Sequence, residues 1–272
     1  MPSTTTISVD KLSRLIGTPK SPRLIDVRTD EAFAADPRLV PGAVRRPHVH
    51  VTEWVADFRG QSAIVICQHG HKLSEGVAAW LRHEGVPAEA LEGGYAAWTD
   101  SGRSAVPYAA LPTPDHAGRT VWVTRARPKV DRIACPWLIR RFIDPDAVFL
   151  FVAPSEVADV AERFGGAPFD IEGVFWSHRG DLCTFDVMIE EFGLASEALQ
   201  RLASIVRGAD TSRHDLAPEA AGLLAASLGL SRMHTDDLEQ LDAGMLLYDA
   251  FYRWARDATE ETHNWPAGKS RS

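Results

Sequence analysis

Ser62-Ala-Ile-Val-Ile66 runs straight into Cys67-Gln68-His69-Gly70-His71-Lys72-Leu73-Ser74, and this junction decides the fold of the first part of the chain. The run ending at Ile66 is apolar without alternation, the mark of a strand buried on both faces. Beyond the polar stretch, Val77, Ala78, Trp80 and Leu81 recur at helical spacing and predict a helix over Ser74–His83. Gly85 stands where a C-terminal cap glycine would. Upstream, Arg23-Leu-Ile-Asp-Val27 reads as a second short strand that ends on charge. Strands alternating with helices predict an α/β domain, a mainly parallel sheet flanked by helices, over residues 1–107.

Cys67 closes the buried strand and precedes the helix. In open α/β sheets ligands bind beyond the carboxyl ends of strands. A helix N-terminus adds unpaired N–H groups and the positive end of the helix dipole. Both stabilise a thiolate and lower a cysteine's pKa. Gly70 lets the backbone bend so that several N–H groups address one anion, and Lys72, with His69 or His71, adds positive charge at the rim. The stretch reads as a cradle for a reactive sulfur anion; the alternative is a small buried hydrophobe at a strand end.

The 272 residues are 45% hydrophobic and 24% charged with formal net charge −8, which describes a folded globular chain and excludes disordered and collagen-like classes. Three cysteines, Cys67, Cys135 and Cys183, are too few for a disulfide framework and point to a reducing compartment. No apolar run reaches the roughly 18–20 residues of a membrane span, and Met1–Asp10 lacks the basic and apolar regions of a signal peptide. The expected location is cytoplasmic, with no membrane partner. An acidic total argues against non-specific nucleic-acid binding.

Residues 104–118 carry three prolines and no periodic apolar pattern, and residues 108–118 read as a Pro-rich linker. Before residue 119 there are 12 basic and 13 acidic residues, net −1; after it 17 and 24, net −7. The acidity thus belongs to a second domain at 119–266, followed by a tail at 267–272. Thr120–Thr124 and Val148–Val152 read as strands, and Asp131–Ile143 as a helix with Pro136 in its first turn or at a kink. From about Phe185, apolar residues recur every three or four positions over Leu194–Val206, Pro218–Leu228 and Asp236–Arg256. The expectation is an α+β, mainly helical second domain.

Two constellations stand out there. Arg127, Lys129, Arg132 and Arg140 lie in a basic segment at 125–141, either as a pocket for chromate, sulfate or nucleic-acid phosphate or as a solvated face. Asp170, His178, Asp181, Cys183 and Asp186, with Asp210 and Asp249 more distant, offer metal-ligand types without a diagnostic spacing. His178, Cys183 and Asp186 are the expected ligands if a metal ion binds. The alternatives are buried core cysteines and helix-capping aspartates.

Leu24-Ile-Asp-Val-Arg28, Val40-Pro-Gly-Ala43, the Cys67 loop and Leu91-Glu-Gly-Gly-Tyr-Ala-Ala-Trp98 occur in the order of a rhodanese domain, which the first 105 residues resemble. The resemblance implies a sulfurtransferase: Cys67 takes a sulfane sulfur from a donor such as thiosulfate, and the Gln68–Lys72 amides cradle the persulfide. A small or protein thiol, or cyanide, then discharges it, with no cofactor required. In the same terms Asp26 and Arg28 brace the floor of the site. Ala34-Ala-Asp-Pro-Arg38 departs from the family's Gly-His-Ile stretch, so that loop is expected to differ. Rhodanese-fold phosphatases carry Cys-x5-Arg; here Leu73 takes the arginine's place, which argues against phosphoryl chemistry.

Pro128–Ile143, Pro168–Ile171, Ile205–Thr211 and Leu247–Trp254 resemble the C-terminal domain of chromate-resistance B-type proteins. That implies a link to chromate stress and no assigned catalytic residue. The competing function is a chromate-responsive sensor or transcriptional regulator that binds an oxyanion or DNA through residues 125–141.

Overall fold

The apolar run before Cys67 becomes the middle strand of a five-stranded sheet. In the computed structural model, which describes residues 5–261, the strands are β1 (Thr6–Ile7), β2 (Arg23–Asp26), β4 (Ala43–Arg45), β5 (Ala63–Ile66) and β6 (Ala88–Leu91). Their order is β1-β6-β5-β2-β4, and every pairing is parallel. All four residues of β5 are buried, as an unalternating apolar strand requires.

The two-residue period sorts the side chains. Ile25, Val27, Val65 and Cys67 share one core with Val77, Ala78 and Leu81 of α4 (Lys72–His83), and with Trp54 at the end of α3 (Val51–Trp54). Leu24, Ile64 and Ile66 enter a different core, which also holds Leu12 of α1 (Val9–Leu15) and Trp98 of α5 (Gly94–Asp100). Helix α4 starts two residues before the position its apolar spacing predicts. It ends as expected: Gly85 has φ 83°, and Val86 N–H donates to the Leu81 carbonyl at 2.9 Å.

The segment that departs from the rhodanese pattern follows α2 (Asp30–Ala35) and forms β3 (Arg38–Leu39), which pairs antiparallel with β7 (Val106–Pro107). The Pro-rich stretch that follows is not a free tether. Tyr108 N–H donates to the Pro37 carbonyl at 2.9 Å, and Ala110 and Leu111 pack against the larger core.

The second part opens as a parallel unit: β8 (Val121–Arg125), α6 (Asp131–Phe142), β9 (Val148–Val152), α7 (Val157–Phe164) and β10 (Ala167–Pro168), in sheet order β10-β8-β9. Each crossover is a helix, as parallel neighbours require. Helices α8 (Thr184–Glu191), α9 (Glu197–Asp210), α10 (Ala220–Met233) and α11 (Asp237–Asp257) complete it. Pro136 lies in the second turn of α6 rather than the first, where it cannot donate to the Arg132 carbonyl. Its neighbour Trp137 anchors the core, with ring centroids 5.8 Å from Phe142 and 5.4 Å from Tyr252, and its indole N–H donates to Asp249 at 2.8 Å.

The two parts share a core. A Cβ on Gly17 would collide with Phe142 and lie 2.9 Å from Tyr252. Arg23 pairs with Asp146, and Ser104 exchanges hydrogen bonds with the backbone of Ala195. Among the described residues no helix is long and apolar enough to cross a membrane. The tail read at 267–272 lies outside the described residues.

Candidate active site

Cys67 sits at the carboxyl end of β5, 5% exposed. Its Sγ is 3.3 Å from the His71 carbonyl, to which the thiol donates, and 3.1 Å from Ser74 Oγ. Ser74, in the first turn of α4, is fully buried and also donates to the His71 carbonyl at 3.1 Å. Burial pushes the Cys67 thiol upward. The Ser74 hydroxyl and the backbone N–H groups of Ser74, His69 and His71 outweigh that by favouring the thiolate, so the thiol lies below its ordinary range.

Two glycines make the loop possible. Gly70 has φ 74° and Gly94 φ 62°, both left-handed. A Cβ on Gly70 would lie 2.5 Å from the Leu91 carbonyl oxygen, and one on Gly94 would lie 2.5 Å from the Gly70 nitrogen. The loop therefore docks on the Gly93-Gly94 turn, and Tyr95 N–H and Ala96 N–H hold the Cys67 and Gln68 carbonyls at 2.9 and 3.0 Å. Gln68 is half-buried, while His69, His71 and Lys72 are exposed.

Asp26 and Arg28 are buried beneath. Asp26 accepts from Arg28 N–H at 2.9 Å and from its Nε at 2.8 Å. Burial nonetheless raises the Asp26 carboxyl above its ordinary range. Arg28 also donates to the carbonyls of Asp36 and Arg38 at 3.1 and 2.5 Å and stacks 3.7 Å over the Tyr95 ring. The pair ties β2, β3 and α5 together behind the loop. Ser74 is the contributor that sequence reasoning missed; its only signal was a hydroxyl in the first turn after the cysteine.

The four basic residues of the second part do not share one pocket. Arg127 turns to the Ser231 and His234 carbonyls on α10 and beyond its end, and with Lys129 and Arg232 lines a surface hollow. Arg132 points instead to Asp170 at 3.2 Å. Arg140, two turns further along α6, pairs with Asp242 at 3.2 Å and lies over the Phe149 ring. A helix carries residues eight apart to separate sites.

The expected metal triad also divides. Cys183 caps α8 in a reciprocal box with Asp186, Asp186 pairs with Arg207 at 2.7 Å, and burial pushes the Cys183 thiol up, which keeps it protonated. His178 joins different partners. Its Nε2 lies 3.5 Å from Asp131 Oδ2, 3.5 Å from Asp170 Oδ1 and 3.2 Å from Asp210 Oδ2. These carboxylates raise the imidazole's pKa, and burial raises that of Asp131. Of the remaining residues, Asp249 holds Trp137 and Arg141, Asp181 is exposed, and Cys135 is fully buried in the core.

Residues 8–101 match the rhodanese-like domain family, and residues 122–255 match the family described as ChrB, C-terminal domain. Protein ChrB of Cupriavidus metallidurans is 36% identical over 132 residues, covering 48% of this chain and 39% of that relative. The chain thus spans well under half the length of the curated relative it matches. Among solved structures, a rhodanese-like domain protein from Staphylococcus aureus is 28% identical over 35% of this chain and 91% of its own, with a TM-score of 0.32. A thiosulfate sulfurtransferase from Pseudomonas aeruginosa is 22% identical over 38% of this chain and 19% of its own, also with a TM-score of 0.32. The chain carries a rhodanese-like domain at residues 8–101 followed by a ChrB C-terminal domain at residues 122–255.

Proposed function

We propose that the protein is a sulfurtransferase that carries sulfur as a persulfide on Cys67 and serves chromate or related oxyanion stress. The observation that carries this reading is the Cys67 sulfur itself, at the end of the central strand with Ser74 Oγ 3.1 Å away and backbone N–H groups favouring its thiolate. The Cys67 thiolate attacks the outer sulfur of thiosulfate. A sulfur–sulfur bond to the enzyme forms, the bond to the sulfite group breaks, and sulfite leaves with the electron pair. An acceptor thiolate or cyanide then attacks the terminal sulfur and departs as persulfide or thiocyanate, regenerating the thiolate.

The same donors that stabilise a thiolate stabilise the persulfide anion and are already in position before reaction. The exposed His69, His71 and Lys72 of the same loop can add positive charge where a dianionic donor approaches. Leu73, where a phosphatase loop needs arginine, leaves no bidentate partner for a phosphoryl group at that position.

Intact-protein mass spectrometry after thiosulfate treatment tests the reading. The wild type gains the mass of one sulfur, loses it on addition of a thiol, and the Cys67→Ala variant gains none. Absence of loading in the wild type, or equal loading in the variant, overturns it.

A further inference from the structure

We propose that Asp131, Asp170 and His178, with Asp210 beside them, form a binding site for a divalent transition-metal ion in the ChrB-type domain. The four residues come from four places in the chain. Asp131 opens α6 just after β8, Asp170 follows β10, His178 lies in the irregular segment before α8, and Asp210 ends α9. Asp131 and Asp170 thus stand beyond the carboxyl ends of parallel strands, where open α/β sheets place their ligands. Asp170 holds a left-handed backbone, φ 52°, a conformation that few residues other than glycine adopt and that recurs at functional sites.

The geometry around His178 is that of a coordination shell. Three carboxylate oxygens lie 3.2–3.5 Å from one ring nitrogen, and a single N–H cannot serve all three. Bonds of about 2.0–2.2 Å to a tetrahedral zinc ion separate its ligands by about 3.3–3.6 Å, close to the three distances from His178 Nε2. The ligand atoms of Asp131, Asp170 and His178 lie within 4.8 Å of one another. Imidazole with carboxylates suits Zn2+ or Mn2+ rather than a thiophilic ion.

Asp131 supplies the independent sign of a missing ligand. It is fully buried, and its Oδ1 has no hydrogen-bond partner. A carboxylate buried with one oxygen unpaired carries a large desolvation penalty, and a cation held at its other oxygen, Oδ2, which faces His178, offsets the cost of burying the charge. The surrounding groups hold the carboxylates in place. Thr184 donates from its N–H to Asp131 Oδ2 at 2.7 Å and from its hydroxyl to Asp170 Oδ1 at 3.0 Å. Arg125 and Arg132 pin the opposite oxygen of Asp170, each at 3.2 Å. Such outer partners fix ligand direction.

A cavity of about 740 Å3, lined by Arg125, Asp170, Ser177 and His178 among others, reaches the cluster from solvent. It provides an access path for the ion.

The test uses untagged full-length protein, stripped with chelator and titrated separately with Zn2+ and Mn2+ by calorimetry, with bound metal counted by elemental analysis. The expected result is one ion per chain for at least one of the two. Affinity falls by at least about 100-fold in Asp131→Asn and in His178→Gln, more than loss of an outer-shell partner typically costs. His178 is half-exposed, so its variant keeps the test sound if Asp131→Asn fails to fold; circular dichroism checks both. Affinity stays unchanged in Cys67→Ala, which separates this site from the reactive thiol. Failure of both ions to bind, binding indifferent to the His178 and Asp131 changes, or binding lost in Cys67→Ala overturns the proposal.

Discussion

Cys67 shows how little chemistry separates a thiol that is only packed from one tuned toward its thiolate. Both are buried at a strand end. The difference is a hydroxyl 3.1 Å from the sulfur and backbone N–H groups that favour the thiolate. Because hydrogen bonds to the charged form lower a thiol's pKa while burial raises it, the balance is sensitive to Ser74. Alkylation of Cys67 by iodoacetamide follows the thiolate fraction, so its rate rises with pH and levels off above the thiol's pKa. That midpoint should fall below that of the unperturbed thiol, and Ser74→Ala should move it upward. Stopped-flow alkylation across pH measures both; an unshifted wild-type midpoint would contradict the assigned balance. Cys183 is the counterexample within the same chain, because burial without enough compensating donors pushes its thiol up.

At the scale of elements, the site is an agreement between two turns. The loop after β5 and the glycine pair before α5 approach so closely that neither tolerates a side chain at the contact. Gly94→Ala combines a left-handed φ with a collision against the Cys67 carbonyl and Gly70 N. It should cost roughly 1–3 kcal/mol or more and abolish sulfur loading. Gly76→Ala, on the open face of α4 where an added Cβ meets nothing within 4 Å, should stabilise by roughly 0.5–1 kcal/mol and leave loading intact. Urea denaturation with the mass assay distinguishes the two. If both glycine variants behave alike, the close packing of the turns is not what positions the sulfur.

The elements were unequally legible in the sequence. Val148–Val152 is a strand at the predicted boundaries, because consecutive apolar residues in a short run have few other uses. Helix α4 was visible from its apolar stripe, but its start was not, since its first residue is the polar, exposed Lys72. Of the two places the sequence allows Pro136, the first turn or the interior of the helix, it takes the interior of α6. Tertiary packing around Trp137, which touches Phe185, Tyr248 and Tyr252, holds that helix together across the missing hydrogen bond.

Across the whole molecule, the chain that reads as two domains and a linker buries apolar side chains of both in one core. Phe142 and Tyr252 of the second part close over Gly17 of the first. The two parts should therefore unfold together. Urea unfolding followed by tryptophan fluorescence and by Cys67 accessibility should give coincident transitions. Phe142→Ala, a loss of about 3–5 kcal/mol for a buried aromatic, should shift both probes equally. Separate midpoints would mean that the halves are independent.

The sequence by itself determined the parallel sheet, the place of Cys67 at the carboxyl end of one of its strands and the helical character of the second part, because each rests on local periodicity and on motifs a few residues long. Only the tertiary structure decided which polar residues meet. Arg127, Lys129, Arg132 and Arg140 look like neighbours along the chain, yet Arg127 and Lys129 line a hollow beside α10, while α6 carries Arg132 to Asp170 and Arg140 to Asp242. Asp131, Asp170, His178 and Asp210 are spread over 80 positions of sequence, yet parallel strand ends and the end of α9 gather them around one nitrogen. Spacing along a chain reports on one helix face or one strand. Convergence from several elements depends on how those elements pack, and no local pattern records it.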